Sequence, residues 1–491
     1  MTKPLAALRW DNSFVRLPEA FYQRISPTPL PDPYLVAFNP DAAALLDLDP
    51  AAAGTAEFLA VMSGSGRLAA MDPVAAIYAG HQFGVWVPEL GDGRAILLGE
   101  VLTADDARWE VQLKGAGTTR FSRMGDGRAV LRSAIREYLA SEAMHGLGIP
   151  TSRSLAITGS ALPVYRERVE SAAVFVRLAP SHVRFGSFEL FASRGMPDAL
   201  QALADYVIML HFPELLALPM SERYAAWYRE VVTRTARLMA QWTAVGFAHG
   251  VMNTDNMSIL GLTLDYGPYG WLDRYDPGFI CNHTDHAGRY AFDQQPRVGW
   301  WNCSRLGVAL VPLLEAASAQ TALESYRSTF ESSIDALMRA KLGLCTIDPG
   351  DLALQGELFE LLHRTGADYT RVFRALARFD ATDPGSRTAI HAEVNDSATL
   401  DSWLNRYAAR LDAEGSSATD RQARMLATNP KFVLRNWIAQ EAIEAAEAGR
   451  FGLIETLRQV MSAPFDEHED WERFAEAPAD GAAHIVVSCS S

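Results

Sequence analysis

One short run near the middle of this 491-residue chain constrains it most: His249-Gly250-Val251-Met252-Asn253-Thr254-Asp255-Asn256, followed by Asp265-Tyr266-Gly267. It carries oxygen-bearing side chains of the kind that magnesium or manganese and polyphosphates take as partners. A long helical pattern over 220–245 leads into it, with Trp227, Val231, Leu238 and Trp242 at spacings of four, seven and four. Such an aromatic stripe is core. A Gly/Pro/Asp-rich loop over 268–296 follows. A fold that accommodates this order must present the polar run at the end of a buried helix.

The spacing resembles that of protein kinases, which write His-Arg-Asp or His-Gly-Asp, four residues, then Asn, and further on Asp-Phe-Gly. His249 and Asn256 are seven apart, and Asp265-Tyr266-Gly267 stands for the last motif. The catalytic aspartate's place holds Val251, which cannot accept a proton. Asp255, beside Asn256, is the nearest replacement base; its plainer reading is a loop aspartate bonded to its own turn. Asn256 and Asp265 are the candidate metal ligands. They are only nine positions apart, so the hairpin that kinases place here is trimmed.

Upstream, the residues expected of such a site occur in order. Leu90-Gly91-Asp92-Gly93-Arg94 opens a predicted strand over 95–102, and a turn at Asp105-Asp106 leads to a second over 109–114. Gly91 and Gly93 let backbone N–H groups approach phosphates, or mark an ordinary turn. Lys114 ends the second strand, where it either reaches a phosphate or is solvated. A helix predicted over 128–145 carries Glu137 on a stripe of small residues, as a partner for Lys114 or as a solvated glutamate. The loop 115–127 holds Arg120, Arg123, Asp126 and Gly127. Strands are expected near 155–157 and 173–177; the latter ends in Arg177, with Arg184 seven further on, and arginines can grip phosphate with two parallel bonds. Tyr78-Ala79-Gly80-His81-Gln82-Phe83-Gly84 is glycine-punctuated, and His81 reads as a structural histidine.

The predicted fold class is α+β, a protein-kinase-like bilobal arrangement. An N-terminal extension (1–75) precedes a strand-rich small lobe (76–190), a helical large lobe (191–380) and a C-terminal helical extension with a tail (381–491). Helices are expected over 199–212, 302–341, 348–379 and, after a polar connector at 380–398, over 399–461. His283, Asp285 and His286 could suggest a metal site, but the loop position after Asp265 favours an activation-segment-like role. The formal net charge of −15 argues against nucleic acid as main partner. No apolar run is long enough to span a membrane, and the N-terminus has no targeting pattern. The four scattered cysteines argue against structural zinc. A cytoplasmic monomer is expected.

With these motifs quoted, the sequence resembles the selenoprotein O (SelO/YdiU) family of kinase-like protein adenylyltransferases. The carriers are the Tyr78–Gly84 and Leu90–Arg94 runs, Leu113-Lys114-Gly115-Ala116-Gly117, Gly125-Asp126-Gly127-Arg128, the central run and Asn429-Pro430-Lys431-Phe432. The resemblance implies transfer of AMP from ATP, with Mg²⁺ or Mn²⁺, to Ser, Thr or Tyr hydroxyls of proteins, and ATP bound in a flipped orientation relative to kinases. It also implies that Lys114 contacts phosphates and pairs with Glu137. Gly91, Gly93, Arg94, Asp126, Gly127, Arg177, Arg184 and Asp265 would hold the nucleotide, Asp255 would be the base, and Asn256 and Asp265 would bind metal. Eukaryotic members carry selenocysteine third from the C-terminus; Cys489 stands there. Pairing with Cys281 would give a redox disulfide linking activity to redox homeostasis, and two reduced thiols are the alternative. Phosphotransfer of the kinase type and an inactive nucleotide-binding scaffold, the latter suggested by Val251, remain open beside nucleotidyl transfer.

Overall fold

The strands are concentrated before residue 180, and most of the helices come after it. The computed structural model describes residues 2–479, 485 and 487. The strands before residue 180 are β1 (Arg9–Asp11), β2 (Tyr22–Arg24), β3 (Tyr34–Phe38), β4 (Val74–Ala76), β5 (Gly80–Gln82), β6 (Val85–Val87), β7 (Ala95–Leu102), β8 (Arg108–Lys114), β9 (Ala129–Val130), β10 (Arg153–Tyr165) and β11 (Val169–Ala179); a short pair, β12 (Phe247–Ala248) and β13 (Gly270–Trp271), flanks the central run. Nine of them form an antiparallel sheet in the order β2-β4-β7-β8-β11-β10-β3, with β1 added to β7 and β9 to β11. β5 and β6 form a separate two-stranded ribbon.

An antiparallel strand with one wet face alternates apolar and polar residues. β7 does not: Ala95 through Val101 are all buried. Both faces of this sheet are covered. Ile96, Leu98, Val111, Leu113, Val174 and Val176 pack with Leu5, Leu46 and Phe58 from the N-terminal segment. Leu97, Ile157 and Phe175 pack on the other face with Ile135, Tyr138 and Leu139. The N-terminal segment therefore contributes strands to the sheet as well as a cover. Its strands are three to five residues long, too short to show a period in the sequence.

Helices α1 (Pro40–Ala44) and α2 (Ala56–Met62) belong to that cover, and α3 (Leu131–Gly146) crosses the sheet. The predicted start of α3 at Arg128 is three residues early, because Ala129 and Val130 pair with Ala173 and Ala172 as a strand. Beyond the sheet come α4 (Phe185–Ser193), α5 (Pro197–His211), α6 (Met220–Ala244), α7 (Gln295–Leu310) and α8 (Ala316–Lys341). The single helix expected over 302–341 is two, broken around Pro312, whose missing N–H cannot continue the ladder. α9 (Asp351–Thr365) and α10 (Tyr369–Leu376) precede α11 (Pro384–Glu393), which lies where a connector was expected. Asp383 caps its first turn, and its single fully buried residue, Ile390, explains why no apolar stripe was visible. α12 (Ser397–Glu414), α13 (Ala418–Thr428), α14 (Asn436–Glu447) and α15 (Gly452–Ser462) complete the set. No described helix is long and apolar enough to cross a membrane.

α3 is tied to the segment after Asp265 by a reciprocal contact. Arg136 donates to the Tyr269 carbonyl at 3.0 Å, and the Tyr269 hydroxyl donates back to the Arg136 carbonyl at 2.8 Å. The sheet, α3 and the central run are thus held around one cavity.

Candidate active site

Antiparallel pairing decides which side chains share a face. Lys114 is opposite Ala95 and Phe175, and Gln112 is opposite Leu97 and Arg177. Lys114, Gln112 and Arg177 therefore point to the face that α3 covers, and Glu137 of α3 meets them. Lys114 Nζ lies 2.5 Å from Glu137 Oε2, and Arg177 Nη1 lies 3.2 Å from Glu137 Oε1. Asp265 closes the group. Its Oδ1 is 2.5 Å from Arg177 and 3.4 Å from Lys114, and its Oδ2 is ion-paired with Arg184. Arg184 also donates to the Asp255 carbonyl at 2.7 Å, so one guanidinium ties both aspartates.

These charges share a cavity of about 540 Å³, whose lining includes Gly91, Gly93, Arg94, Lys114, Glu137, Arg177, Arg184, Val251, Asp255, Asn256 and Asp265. Burial works to raise the Asp265 pKa, and Arg177, Arg184 and Lys114 overcome it, holding the carboxyl well below its ordinary range. Burial pulls the Lys114 ammonium down, against Glu137 and Asp265. Asp265 adopts φ +56°, a left-handed conformation uncommon for a side-chain-bearing residue. Such strain persists where the surroundings over-determine it, as three cations do here.

Asp255 behaves differently. Burial pushes its carboxyl up to about 6, against a hydrogen bond from Gln82 and the charge of Arg184. That places it in the range useful to a general base. Oδ2 accepts from Gln82 Nε2 at 3.1 Å, while Oδ1 is buried with no hydrogen-bond partner among the described residues. His249 is structural: its Nε2 contacts the Leu264 carbonyl at 2.8 Å, and its ring stacks on Trp242.

The donor set suits a magnesium- or manganese-type ion. Asn256 Nδ2 donates to the Val251 carbonyl at 3.0 Å, which reserves its Oδ1 as an acceptor. Asn256 and Asp265 border the same cavity, two oxygen donors for a cation that keeps waters and phosphates as its other ligands. Among the described residues no cluster of three or more His, Cys, Asp or Glu forms a self-sufficient site. Asp285 is occupied by the backbone N–H groups of Arg289 and Tyr290, as befits a loop residue.

Not every expected residue lies in the cavity. Asp126 is exposed and makes two bonds to Arg166, at 2.8 and 2.9 Å, and Gly127 packs on Gly117; neither lines the cavity. Gly91 (φ +142°) and Gly93 have a packing role that the motif did not reveal. A Cβ on Gly91 would lie 2.5 Å from the Phe121 ring, and one on Gly93 2.9 Å from the Phe121 carbonyl. Their smallness lets loop 115–127 fold over the turn and brings Arg123 to the cavity. The uncharged residues Tyr78, Gln82 and Gln112 escaped the sequence reading as site residues. Tyr78 lies under Arg184 at 5.0 Å, and Gln112 accepts from Arg177. The Tyr78–Gly84 motif was the available signal for two of them. Cys281 is buried, its thiol 3.5 Å from the Ala248 carbonyl, and the neighbouring Asn282 bridges in parallel to Val487. Cys489 lies outside the described residues, and its pairing with Cys281 lies outside with it.

Comparison with known proteins agrees with this chemistry. A family model described as protein adenylyltransferase SelO matches residues 4–478. A protein nucleotidyltransferase YdiU of Thioalkalivibrio sulfidiphilus is 57% identical over 493 residues, covering 99% of both chains. Proteins of the same name from Myxococcus xanthus and Pseudomonas fluorescens Pf0-1 are 56% and 47% identical, over 99% and 100% of both chains. An ion-paired lysine, two buried arginines and a strained aspartate around one cavity are thus the setting of a nucleotidyltransferase, and the chain belongs to the SelO family of protein adenylyltransferases.

Proposed function

We propose that this chain transfers AMP from ATP to Ser, Thr or Tyr hydroxyls of protein substrates and releases pyrophosphate, on a protein-kinase-like scaffold whose two lobes meet at the cavity. The observation that carries this reading is the division of labour between two aspartates in one cavity. Asp265 is ion-paired with Lys114, Arg177 and Arg184, while the Asp255 carboxylate borders the same cavity with the neutral Gln82 amide as its partner.

In the transfer step the acceptor oxygen attacks the α-phosphorus and its proton passes to Asp255. The bond from the α-phosphorus to the bridging oxygen breaks, and pyrophosphate leaves with those electrons. Lys114, Arg177 and Arg184 neutralise phosphate charge, the term that dominates transfer at phosphorus. Asn256 and Asp265 would hold the divalent cation, which supplies further charge neutralisation when bound. A nucleotide flipped relative to kinases presents the α-phosphorus to Asp255 and accounts for the absence of a carboxylate at Val251.

Incubation with α-labelled and γ-labelled ATP tests the proposal. Label reaching protein from the α position alone is the expected result. Label from the γ position alone means phosphotransfer, and label from neither means a nucleotide-binding scaffold. Redox control through Cys281 and Cys489 is part of the same proposal, supported by the bridge that sets Val487 beside Asn282. Disulfide mapping under oxidising conditions checks it, and the absence of that bridge removes the switch.

A further inference from the structure

The ribbon β5–β6 stands outside the main sheet, and three of its hydrogen bonds go to the loop that carries Asp255. Asn253, Thr254 and Asp255 each receive one bond from it. Phe83 N–H donates to Asn253 Oδ1 at 3.1 Å, His81 N–H to Thr254 Oγ1 at 2.7 Å, and Gln82 Nε2 to Asp255 Oδ2 at 3.1 Å. Tyr290 adds a bond from its hydroxyl to Asn253 Oδ1 at 2.7 Å.

The ribbon turns through Phe83 (φ +51°) and Gly84 (φ +82°). A two-residue turn with both central residues at positive φ favours Asn-Gly, and a bulky aromatic at its first position is an outlier. The conformation is kept by the bonds to the base loop, so turn and loop fix each other. At the start of the same strand, β5, Gly80 packs against Asp255: a Cβ there would lie 2.6 Å from Oδ1. Oδ1 is sealed, with no hydrogen-bond partner among the described residues, which leaves Oδ2, the oxygen that Gln82 holds, to serve the cavity. Gln82 itself lines that cavity.

We propose that Gln82 is a positioning residue for nucleotidyl transfer: its carboxamide fixes Asp255 Oδ2 in the orientation from which that oxygen takes the proton of the acceptor hydroxyl. The inference rests on the reading of Asp255 as the base. A carboxylate oxygen has lone pairs for two donors, so Gln82 occupies one and the acceptor hydroxyl the other. The choice of an amide is also explained. A lysine or arginine would orient the carboxylate equally well but would stabilise its charge and weaken it as a base, whereas a neutral donor does so less.

Gln82→Met keeps the length and bulk of the side chain and removes the donor. With α-labelled ATP and an unfolded, hydroxyl-rich polypeptide as acceptor, kcat falls about tenfold or more while KM for ATP stays within about twofold, as expected for a lost bond to a charged group. In the Asp255→Asn background the same substitution has no further effect. An unchanged kcat in Gln82→Met overturns the proposal. So does a loss of kcat accompanied by an equal rise in KM for ATP, or an equal loss in the Asp255→Asn background, since either means that Gln82 only supports the fold. Asp255→Asn turning over like the wild type removes the base assignment instead, and so separates that failure from this one.

Discussion

Gln112 accepts the Nε–H of Arg177 at 2.7 Å and donates through its own amide to Asp92 Oδ2 at 3.2 Å. One uncharged side chain therefore couples a cavity-lining arginine to the aspartate between Gly91 and Gly93. Asp92 also accepts from the Ala76 N–H, and its carbonyl accepts from Thr119. Gln112→Leu leaves the Arg177 Nε–H unpaired in a buried site, at a cost of about 1–3 kcal/mol. Thermal unfolding should show that loss, and calorimetry with ATP should show binding weakened about three- to tenfold.

Asp265 is the counter-anion of Lys114, Arg177 and Arg184. Asp265→Asn removes that charge together with an oxygen proposed to bind the metal. Turnover should fall by about a hundredfold or more. In the presence of a chelator, ATP binding should be no weaker than in the wild type, because the arginines no longer have a carboxylate to leave. A variant that lost binding and turnover in parallel without metal would place Asp265 in the fold alone.

Gly80→Ala tests how tightly Asp255, the proposed base, is packed. The added methyl lies 2.6 Å from Asp255 Oδ1 and 3.0 Å from its Cβ, closer than such contacts allow, so Asp255 must shift. A displacement of this kind costs about 1–3 kcal/mol in a packed site. Initial rates should fall at least tenfold, with ATP affinity measured by calorimetry nearly unchanged.

Far from the cavity, Glu414 closes α12 onto the segment after α8. It accepts from Cys345 N–H at 3.1 Å and from Thr346 N–H and Oγ1 at 2.9 and 2.7 Å, and it pairs with Arg410 at 2.8 Å. Burial works to raise its pKa, and the Thr346, Cys345 and Arg410 contacts win, bringing it down to about 2. A depressed carboxyl stabilises the fold above its ordinary value of 4.5 and loses that contribution as pH falls through about 2. Allowing for solvent screening, Glu414→Gln should cost about 1–2 kcal/mol at neutral pH. Denaturant titrations at several pH values should show the gap from wild type closing below pH 4.5.

The charged part of the site was legible because its spacing along the chain is local. His249, Asn256 and Asp265 sit within one run, and Lys114 and Glu137 lie at the end of a strand and in the middle of the next helix. Gln82 and Gln112 were not legible, since an amide matters only through the partner that tertiary structure brings to it. β7 was read to its true ends, Ala95 and Leu102, because glycines and a polar turn bracket an apolar run. β1 and β2, three residues each, offer no such run and are strands only because the sheet accepts them. Asp126 was given a place with the nucleotide by its motif, yet its carboxylate is engaged by Arg166 outside the lining.

The Asp265 cluster also sets a threshold on what can enter. Three buried cations already share two carboxylates, Glu137 and Asp265. A ligand gains little by approaching them unless it replaces the bonds it displaces. A neutral nucleoside would separate buried ion pairs and return nothing, which is the costly way to break them. A polyphosphate would bring enough oxygens to take over the arginines and, with a cation, would free Asp265 to change partners. On the proposed function the cavity would select its ligand by charge first, with Asp265 as the anion that is traded.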